Sequence, residues 1–488
     1  MNRVDISARH ALYGIDATRC IEQAAQLALP PHALMQRAGL AVAQLALALA
    51  PHSRRPWIAC GPGNNGGDGL EAAMHLQNWG KNPVVSWIGS PDSAPPDALA
   101  SYQRARSAGV QFVQAPPADF DLAIDALLGI GATRPATGRM AQWIDWLNAG
   151  TATVLAVDTP TGVHADTGST AVPCVKAQHC LSLLTLKPGL FTGNGRDAAE
   201  TVWIDNLQID PAGTATPQGL APTAWLAGAP TRQAARLHAS HKGSYGDVAV
   251  VGGAPGMTGA ALLAASAALH TGAGRVLVAL LDGGSMGVDA SQPELMFRPV
   301  DALDFKTMTA VCGCGGGDAI RGQLPRLLST SARLVIDADA LNAIADDAQL
   351  QSLLRSRSRH RSATILTPHP LEAARLLGSN TAQVQGNRLA AAQSMAQDFG
   401  CAVLLKGSGT VIAAPGETPC INPTGNARLA TGGSGDVLAG MIGAGLAAGL
   451  PAFQSACEAV YRHGLLADHW PAAQALTAGA LSRSLRTA

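Results

Sequence analysis

One pattern, met twice along the chain, constrains its fold more than anything else. Short apolar runs are each followed by small or polar residues and then by a helical pattern. Residues 57–60, 84–88, 122–128 and 154–158 make the first series. Residues 247–251, 275–279, 334–337, 363–366, 402–405 and 411–413 make the second. Apolar strands separated by helices predict an α/β fold with a doubly wound parallel sheet in each half. A chain of 488 residues also exceeds what one hydrophobic core serves. Between the series, residues 211–235 are rich in Pro, Ala, Thr and Gly without a sustained apolar period. That composition predicts a linker joining domains at 1–210 and 236–488. The halves share no period, so the chain is a fusion rather than a repeat.

Composition narrows the function classes. Apolar residues make up 47% and charged residues 14%, the balance of a well-buried globular protein. The formal charge is zero, so neither a nucleic-acid footprint nor a membrane-surface patch is expected. The densest basic cluster, residues 355–361, reads as a solvated helix end, and the apolar run at 40–50 as a buried helix too short to span a bilayer. Nine dispersed cysteines, with Cys312-Gly-Cys314 the only close pair, fit neither a zinc knuckle nor a thioredoxin-type motif. Reduced thiols in a cytoplasmic setting are expected, and no signal-peptide pattern opens the chain. A homo-oligomer is expected as well.

The first strand of the N-terminal half runs into Gly61-Pro-Gly-Asn-Asn-Gly-Gly-Asp-Gly69, with a helix expected from about Leu70. The loop contains Gly-x-Gly-x-x-Gly where a dinucleotide fingerprint lies, which predicts a Rossmann-like domain. A dehydrogenase would also set an acidic residue after the second strand, and Trp87-Ile-Gly-Ser-Pro has none. Asn64, Asn65 and Asp68 instead suit a ribose, a phosphate's surroundings or a hard cation. Two more acids end strands: Asp125, before Leu-Leu-Gly129-Ile-Gly131, and Asp158, in Asp-Thr-Pro-Thr-Gly162. These segments resemble the NAD(P)H-hydrate epimerase family, the YjeF N-terminal domain, over roughly residues 10–205. The resemblance implies that Asn64, Asn65, Gly66, Gly67, Asp68, Gly129, Ile130, Gly131, Ala132, Thr133, Arg134 and Pro135 hold the hydrated dinucleotide. It implies that Asp158 contacts the substrate near its reacting carbon, as the acid/base group, and that Asn65, Asp125 and Thr161 bind K+. The family's Leu-Met-Glu-x-Ala-Gly stands here as Leu34-Met-Gln36-Arg-Ala-Gly39, which removes a charge.

In the C-terminal half, Thr431-Gly-Gly-Ser-Gly-Asp436 sets unobstructed N–H groups ahead of one carboxylate, with an apolar helix expected over 437–450. Small residues admit a phosphate, and a helix N-terminus adds partial positive charge. An Asp there can take a proton from a hydroxyl while amides stabilise a phosphoryl group in transfer. A Gly-rich turn with Asp as helix N-cap is the plain alternative. Gly252-Gly-Ala-Pro-Gly-Met-Thr-Gly-Ala260, Thr367-Pro-His369-Pro-Leu-Glu372 and Lys406-Gly-Ser-Gly-Thr410 accompany it at other strand ends. Their order resembles the ribokinase-like superfamily, and within it the ADP/ATP-dependent NAD(P)H-hydrate dehydratases, over about residues 238–480. The resemblance implies a ribokinase-like α/β/α domain in which Ala260, Gly317, His369 and Asp436 contact the hydrate. Lys406, Gly407, Ser408, Gly409, Thr410 and Gly435 would hold ADP, with Mg2+ accompanying it. Two segments depart from the family's Gly-Pro-Gly-Leu-Gly and His-Pro-Gly-Glu: here they read Gly313-Cys314-Gly-Gly316-Gly317 and His369-Pro-Leu371-Glu372.

Together the resemblances imply repair of hydrated NADH and NADPH, with one domain interconverting the R and S epimers and the other dehydrating the S form at the expense of ADP. The alternatives are a hydroxymethylpyrimidine- or sugar-type kinase, and an N-terminal half that binds a dinucleotide without catalysis.

Overall fold

The computed structural model describes residues 1–131, 134–210, 220–230 and 238–485. They fall into two compact units, Met1–Asp5 with His10–Trp225, and Ile6–Arg9 with Leu226–Ala488. Of the expected linker, residues 211–219 and 231–235 lie outside the described residues, and between them Ala224–Leu226 is a strand.

The sheet of the first unit runs, edge to edge, Asn2–Arg3, Ala199–Asp205, Ala177–Leu183, Thr153–Val157, Leu122–Ala126, Pro56–Cys60, Val84–Trp87 and Gln111–Val113. Every pair is parallel except the first. From Pro56–Cys60 the chain steps to Val84–Trp87 on one side, then returns to lay Leu122–Ala126 on the other. That reversal leaves a crevice at the carboxyl ends of the two strands, where open α/β sheets bind ligands. Helices Ile15–Ala28, Ala33–Leu49 and Asn64–Asn78 bury Ile21, Val42, Leu45 and Leu70 with strand residues Ile58, Ile124 and Leu155. Each such side chain contributes roughly 1.5–3 kcal/mol. Trp57, fully buried, packs against Phe120 and Trp143 and donates its indole N–H to Ser86 Oγ at 3.1 Å.

In the second unit the sheet order is Met296–Phe297, Arg275–Leu280, Asp247–Gly252, Thr309–Cys312, Arg333–Ile336, Ala363–Leu366, Ala402–Leu405, Val411–Ala413 and Cys420–Ile421. It is parallel through Ala402–Leu405 and antiparallel beyond. Its order also reverses, between Asp247–Gly252 and Thr309–Cys312. Helices Thr258–Thr271 and Ser434–Ala447 pack on each other so closely that a Cβ on Gly440 would lie 2.0 Å from the Ala264 carbonyl oxygen.

Several details differ from the sequence reading. The helix expected from Leu70 begins at Asn64, because small residues let its first turn pack against backbone: a Cβ on Gly66 would lie 2.0 Å from the Gly61 carbonyl oxygen. The helix expected from Val437 begins at Ser434. Thr309–Cys312 and Ala177–Leu183, unread in the sequence, hold interior positions in the two sheets. The basic cluster at 355–361 is not wholly solvated. Arg357 is buried, donating to Thr364 Oγ1 and the Leu328 carbonyl at 2.8 Å each, and burial lowers its pKa to about 10. Among the described residues no helix is long and apolar enough to cross a membrane.

Candidate active sites

The first site lies at the crevice of the N-terminal sheet. Strand Pro56–Cys60 delivers the helix that opens with Asn64 and Asn65, and Gly63 at its N-cap offers no side chain. The leading N–H groups therefore remain open to an anion. A cavity of about 400 Å³ is lined by Asn64, Asn65, Asp68, Gly129, Ile130, Gly131 and Asp158. Gly129 and Ile130 also line a second cavity of about 510 Å³ that includes Arg134 and Pro135. Gly66 and Gly67 are buried in the helix's first turns and pack rather than line. Ala132 and Thr133 lie outside the described residues. Gln36 is exposed and absent from the cavity wall, which Leu34, Met35 and Ala38 of the same helix supply.

Asp158 follows strand Thr153–Val157 with φ of 66°, a left-handed conformation that is uncommon for a residue bearing Cβ and concentrates at functional sites. Its Oδ1 accepts from Lys187 Nζ and from the Leu183 N–H at 3.4 Å, and its Oδ2 from the Ile130 N–H at 3.3 Å. Asp68 is held well above the usual carboxylate range by burial and by the Asp158 charge, and Glu22 on the same wall is raised by the same two causes.

Beside this wall, Asp125 is fully buried. Thr161 donates to it twice, from its hydroxyl at 2.7 Å and its N–H at 2.8 Å, and the Leu127 N–H donates at 3.2 Å. Burial nevertheless raises its pKa to about 6, the donors opposing the shift. Among the described residues no Lys or Arg pairs with it. Asn65 Nδ2 is buried without a hydrogen-bond partner, and its Oδ1 would lie 3.0 Å from a Cβ on Gly129. A buried carboxylate without a cationic partner, with the Thr161 hydroxyl oxygen against it, is oxygen chemistry that suits a hard cation.

The second site sits at the reversal of the other sheet. Loops from Asp247–Gly252 and Thr309–Cys312 are stitched together where the Gly253 N–H donates to the Cys314 carbonyl at 3.0 Å and the Ala254 N–H to the Gly315 carbonyl at 2.7 Å. Ala260 lies in the first turn of Thr258–Thr271, and a Cβ on Gly315 would meet its methyl at 2.9 Å; Gly317, in the same loop, would meet Met257 Cε at 3.1 Å. Asp436 lies in the first turn of Ser434–Ala447, so the N-cap alternative fails: the cap is Gly433, at φ 88°. Ligand atoms of Cys314, Asp337 and Asp436 all lie within 4.8 Å of one another. Burial and the Asp337 charge raise Asp436 to about 7.

Lys406 reaches Asp337 Oδ1 at 2.8 Å, and Thr367 Oγ1 donates to the same oxygen at 2.8 Å. Burial opposes charge on Lys406, but Asp337 and Glu372 outweigh it and hold its pKa above the usual lysine value. Gly435 adjoins this ammonium, since a Cβ there would lie 3.3 Å from Nζ. Gly407 and Ser408 are exposed, whereas Gly409 and Thr410 are buried, with the Thr410 hydroxyl turned to the Gly407 carbonyl at 3.1 Å. His369 caps helix Pro370–Leu376: its Nδ1 accepts from the N–H groups of Leu371 and Glu372, while Glu372 Oε2 accepts from the His369 N–H at 2.7 Å. Leu371 therefore leaves the turn intact and points outward. Burial and the Lys406 charge lower the His369 pKa. His463, buried under the loop, donates from Nε2 to the Ser434 carbonyl at 3.0 Å and steadies the helix start.

Sequence reasoning missed Lys187, Glu22 and the pairing role of Asp337. Their partners lie far along the chain, 29 residues away for Lys187 and 69 for Asp337. Only the placement of Lys187 just before Pro188 and the strand-end position of Asp337 hinted at them.

Comparisons with known proteins match each of the two halves of the chain. The family model described as YjeF-related protein N-terminus matches residues 31–189, and the one described as NAD(P)H-hydrate dehydratase matches 248–487. The bifunctional NAD(P)H-hydrate repair enzyme Nnr of Escherichia coli is 33% identical, covering 96% of this chain and 91% of its own. Its namesake in Moorella thermoacetica is 36% identical, covering 90% and 88%. The ADP-dependent (S)-NAD(P)H-hydrate dehydratase of Neisseria meningitidis is 44% identical across 52% of this chain and 87% of its own. With relatives matched along almost their whole length, and with a Rossmann-like unit followed by a ribokinase-like one, the chain belongs to the family of bifunctional NAD(P)H-hydrate repair enzymes.

Proposed function

We infer that this protein repairs hydrated NADH and NADPH at two sites, epimerising the hydrate in its N-terminal unit and dehydrating the S form in its C-terminal unit with consumption of ADP. The observation that carries the reading is one arrangement found twice. Each unit sets a lysine–aspartate ion pair just past the carboxyl end of a parallel strand, Lys187 with Asp158 in the first and Lys406 with Asp337, beside Asp436, in the second.

Hydration of a dihydronicotinamide leaves a hydroxyl, a poor leaving group. In the second site Asp436, raised to about 7, is poised to accept that hydroxyl's proton near neutral pH. The freed oxygen attacks the β-phosphorus of ADP, the bond to the α-phosphate's bridging oxygen breaks, and AMP departs. Phosphate then leaves with its C–O bonding pair, the neighbouring carbon gives up a proton, and the C=C bond returns. The start of helix Ser434–Ala447, whose Gly433 cap brings no side chain, and the Lys406 ammonium support stabilisation of the phosphoryl charge, with Lys406 to Thr410 and Gly435 as the nucleotide's contacts. Ala260, Gly317 and His369 complete the hydrate's contacts. A thiol and two carboxylates make no cage for a hard divalent ion, so Mg2+ is read as arriving on the nucleotide's phosphates.

In the first site the hydroxyl-bearing carbon is bonded to the ring nitrogen, and such hemiaminals open and close. Asp158 takes the O–H proton, the C–N pair moves to nitrogen, and reclosure on the other face gives the second epimer. Asn64, Asn65, Asp68 and the 129–135 loop are read as the dinucleotide's contacts. Asn65, Asp125 and Thr161 are read as K+ ligands, for which the buried, unpaired Asp125 is the support. Cytoplasmic placement and a homo-oligomer belong to the same reading, the latter checked by sedimentation.

The test incubates the protein with both NADH-hydrate epimers and ADP while following reduced-nicotinamide absorbance. Full recovery is expected; recovery halting near half points to a silent epimerase. No recovery with ADP or ATP, together with phosphorylation of a pyrimidine alcohol, overturns the reading.

A further inference from the structure

We propose that Lys187 is a positioning residue for epimerisation, locking one oxygen of Asp158 in a buried ion pair so that the other is presented to the substrate. The proposal rests on the reading of the first site as an epimerase. Lys187 is fully buried, and the Asp158 side chain is 12% exposed. The ammonium has three protons and three acceptors: Asp158 Oδ1, the Leu183 carbonyl at 2.7 Å and Ser182 Oγ at 3.3 Å. None remains for a ligand, so Lys187 acts through Asp158 rather than on the substrate. The two oxygens of Asp158 are correspondingly unequal. Oδ1 carries the ion pair and the Leu183 N–H, whereas Oδ2 carries a single long bond from the Ile130 N–H and adjoins Gly129 on the cavity wall. The left-handed backbone at Asp158 needs such an anchor, because a strained conformation persists only where its surroundings over-determine it. Among the described residues Asp68 and Glu22 line the same cavity without an ion pair and Asp97 is paired with His32 near the surface, so Asp158 is the wall carboxylate held by a fully buried cation. Other charged groups on this wall, Arg19 and Asp97, are set on different elements.

The experiment compares wild type, Lys187→Met and Lys187→Arg as full-length proteins, measuring epimer interconversion by chromatography and S-hydrate dehydration in the same samples. For Lys187→Met the expected result is a fall in epimerisation kcat of roughly 10²-fold, the loss expected when a positioned general base is misaligned, with KM changed less than about threefold. Dehydration continues, and a thermal unfolding profile like the wild type's, followed by circular dichroism, shows that the N-terminal unit is folded as well. Lys187→Arg restores part of kcat. Epimerisation by Lys187→Met at the wild-type rate, or a loss seen in KM alone, overturns the proposal. Should Lys187→Met fail to fold, Lys187→Arg decides: a kcat equal to that of Asp158→Asn overturns it, and partial kcat supports it. A wild-type protein that leaves the R epimer unconverted while dehydrating the S form overturns the epimerase reading, and this proposal with it.

Discussion

At the scale of single residues, the charged groups of the two sites owe their behaviour to burial, and burial makes it testable. Asp436→Asn removes the proposed proton acceptor, so dehydration is expected to fall by at least the roughly 10²–10⁴-fold that general-base catalysis supplies, with epimerisation unchanged. Because burial and Asp337 raise Asp436 to about 7, the dehydration rate of the wild type is expected to climb as pH rises through 7 and then level, a profile read from initial rates between pH 5.5 and 9. His463 offers a stability counterpart. Burial lowers its pKa from 6.5 to about 4, so it stays neutral in the folded state. A base whose folded pKa lies below its unfolded value contributes stability that is fully present above about 6.5 and fades as pH falls toward 4. The loss is on the order of 3–4 kcal/mol, at roughly 1.4 kcal/mol per pH unit. His463→Gln should flatten that acid limb in denaturant titrations of the second unit; an unaltered limb refutes the assignment.

At the scale of elements, helix starts decide both sites, and glycine permits the close approach that puts them there. A methyl at position 440 collides with the Ala264 carbonyl oxygen. Gly440→Ala is therefore expected to cost about 1–3 kcal/mol by overpacking. It should weaken dehydration as well, since the two helices it wedges apart carry Ala260 and Asp436. Gly66→Ala meets the Gly61 carbonyl in the same way, and should depress epimerisation while sparing dehydration. A stability and activity profile like the wild type's for either variant contradicts the packing described. The strands that carry Asp125 and lead into Asp158 were legible because short apolar runs bounded by turn residues mark buried parallel strands. The start of helix Asn64–Asn78 was not, since Asn-Asn-Gly-Gly reads as a turn when its packing partner, the Gly61 carbonyl, is not in view. Thr309–Cys312 escaped notice for a related reason: four residues give too short an apolar signal, though it leads directly into the Gly313–Gly317 loop.

At the scale of the whole molecule, two activities in one chain are expected to communicate through free hydrate. Asp158→Asn should consume only the S epimer, and Asp436→Asn should recover no reduced cofactor. Mixing the two variant proteins should restore complete recovery, because each supplies the site that the other lacks; a mixture that still stalls near half shows that the hydrate is not released between sites. Potassium belongs to the first unit in this scheme. Its addition should raise the melting temperature of wild type, and Asp125→Asn should remove most of that rise. The sequence by itself determined the two α/β halves, the strand-end acids and the Gly-rich approaches to them, since these follow from local periodicity and from the backbone freedom of small residues. Only the tertiary structure decided which charges meet. Lys187 with Asp158, Lys406 with Asp337, and the crowding of Cys314, Asp337 and Asp436 all depend on strand order. A parallel sheet brings the ends of sequence-distant strands side by side, and short-range patterns carry no record of that order.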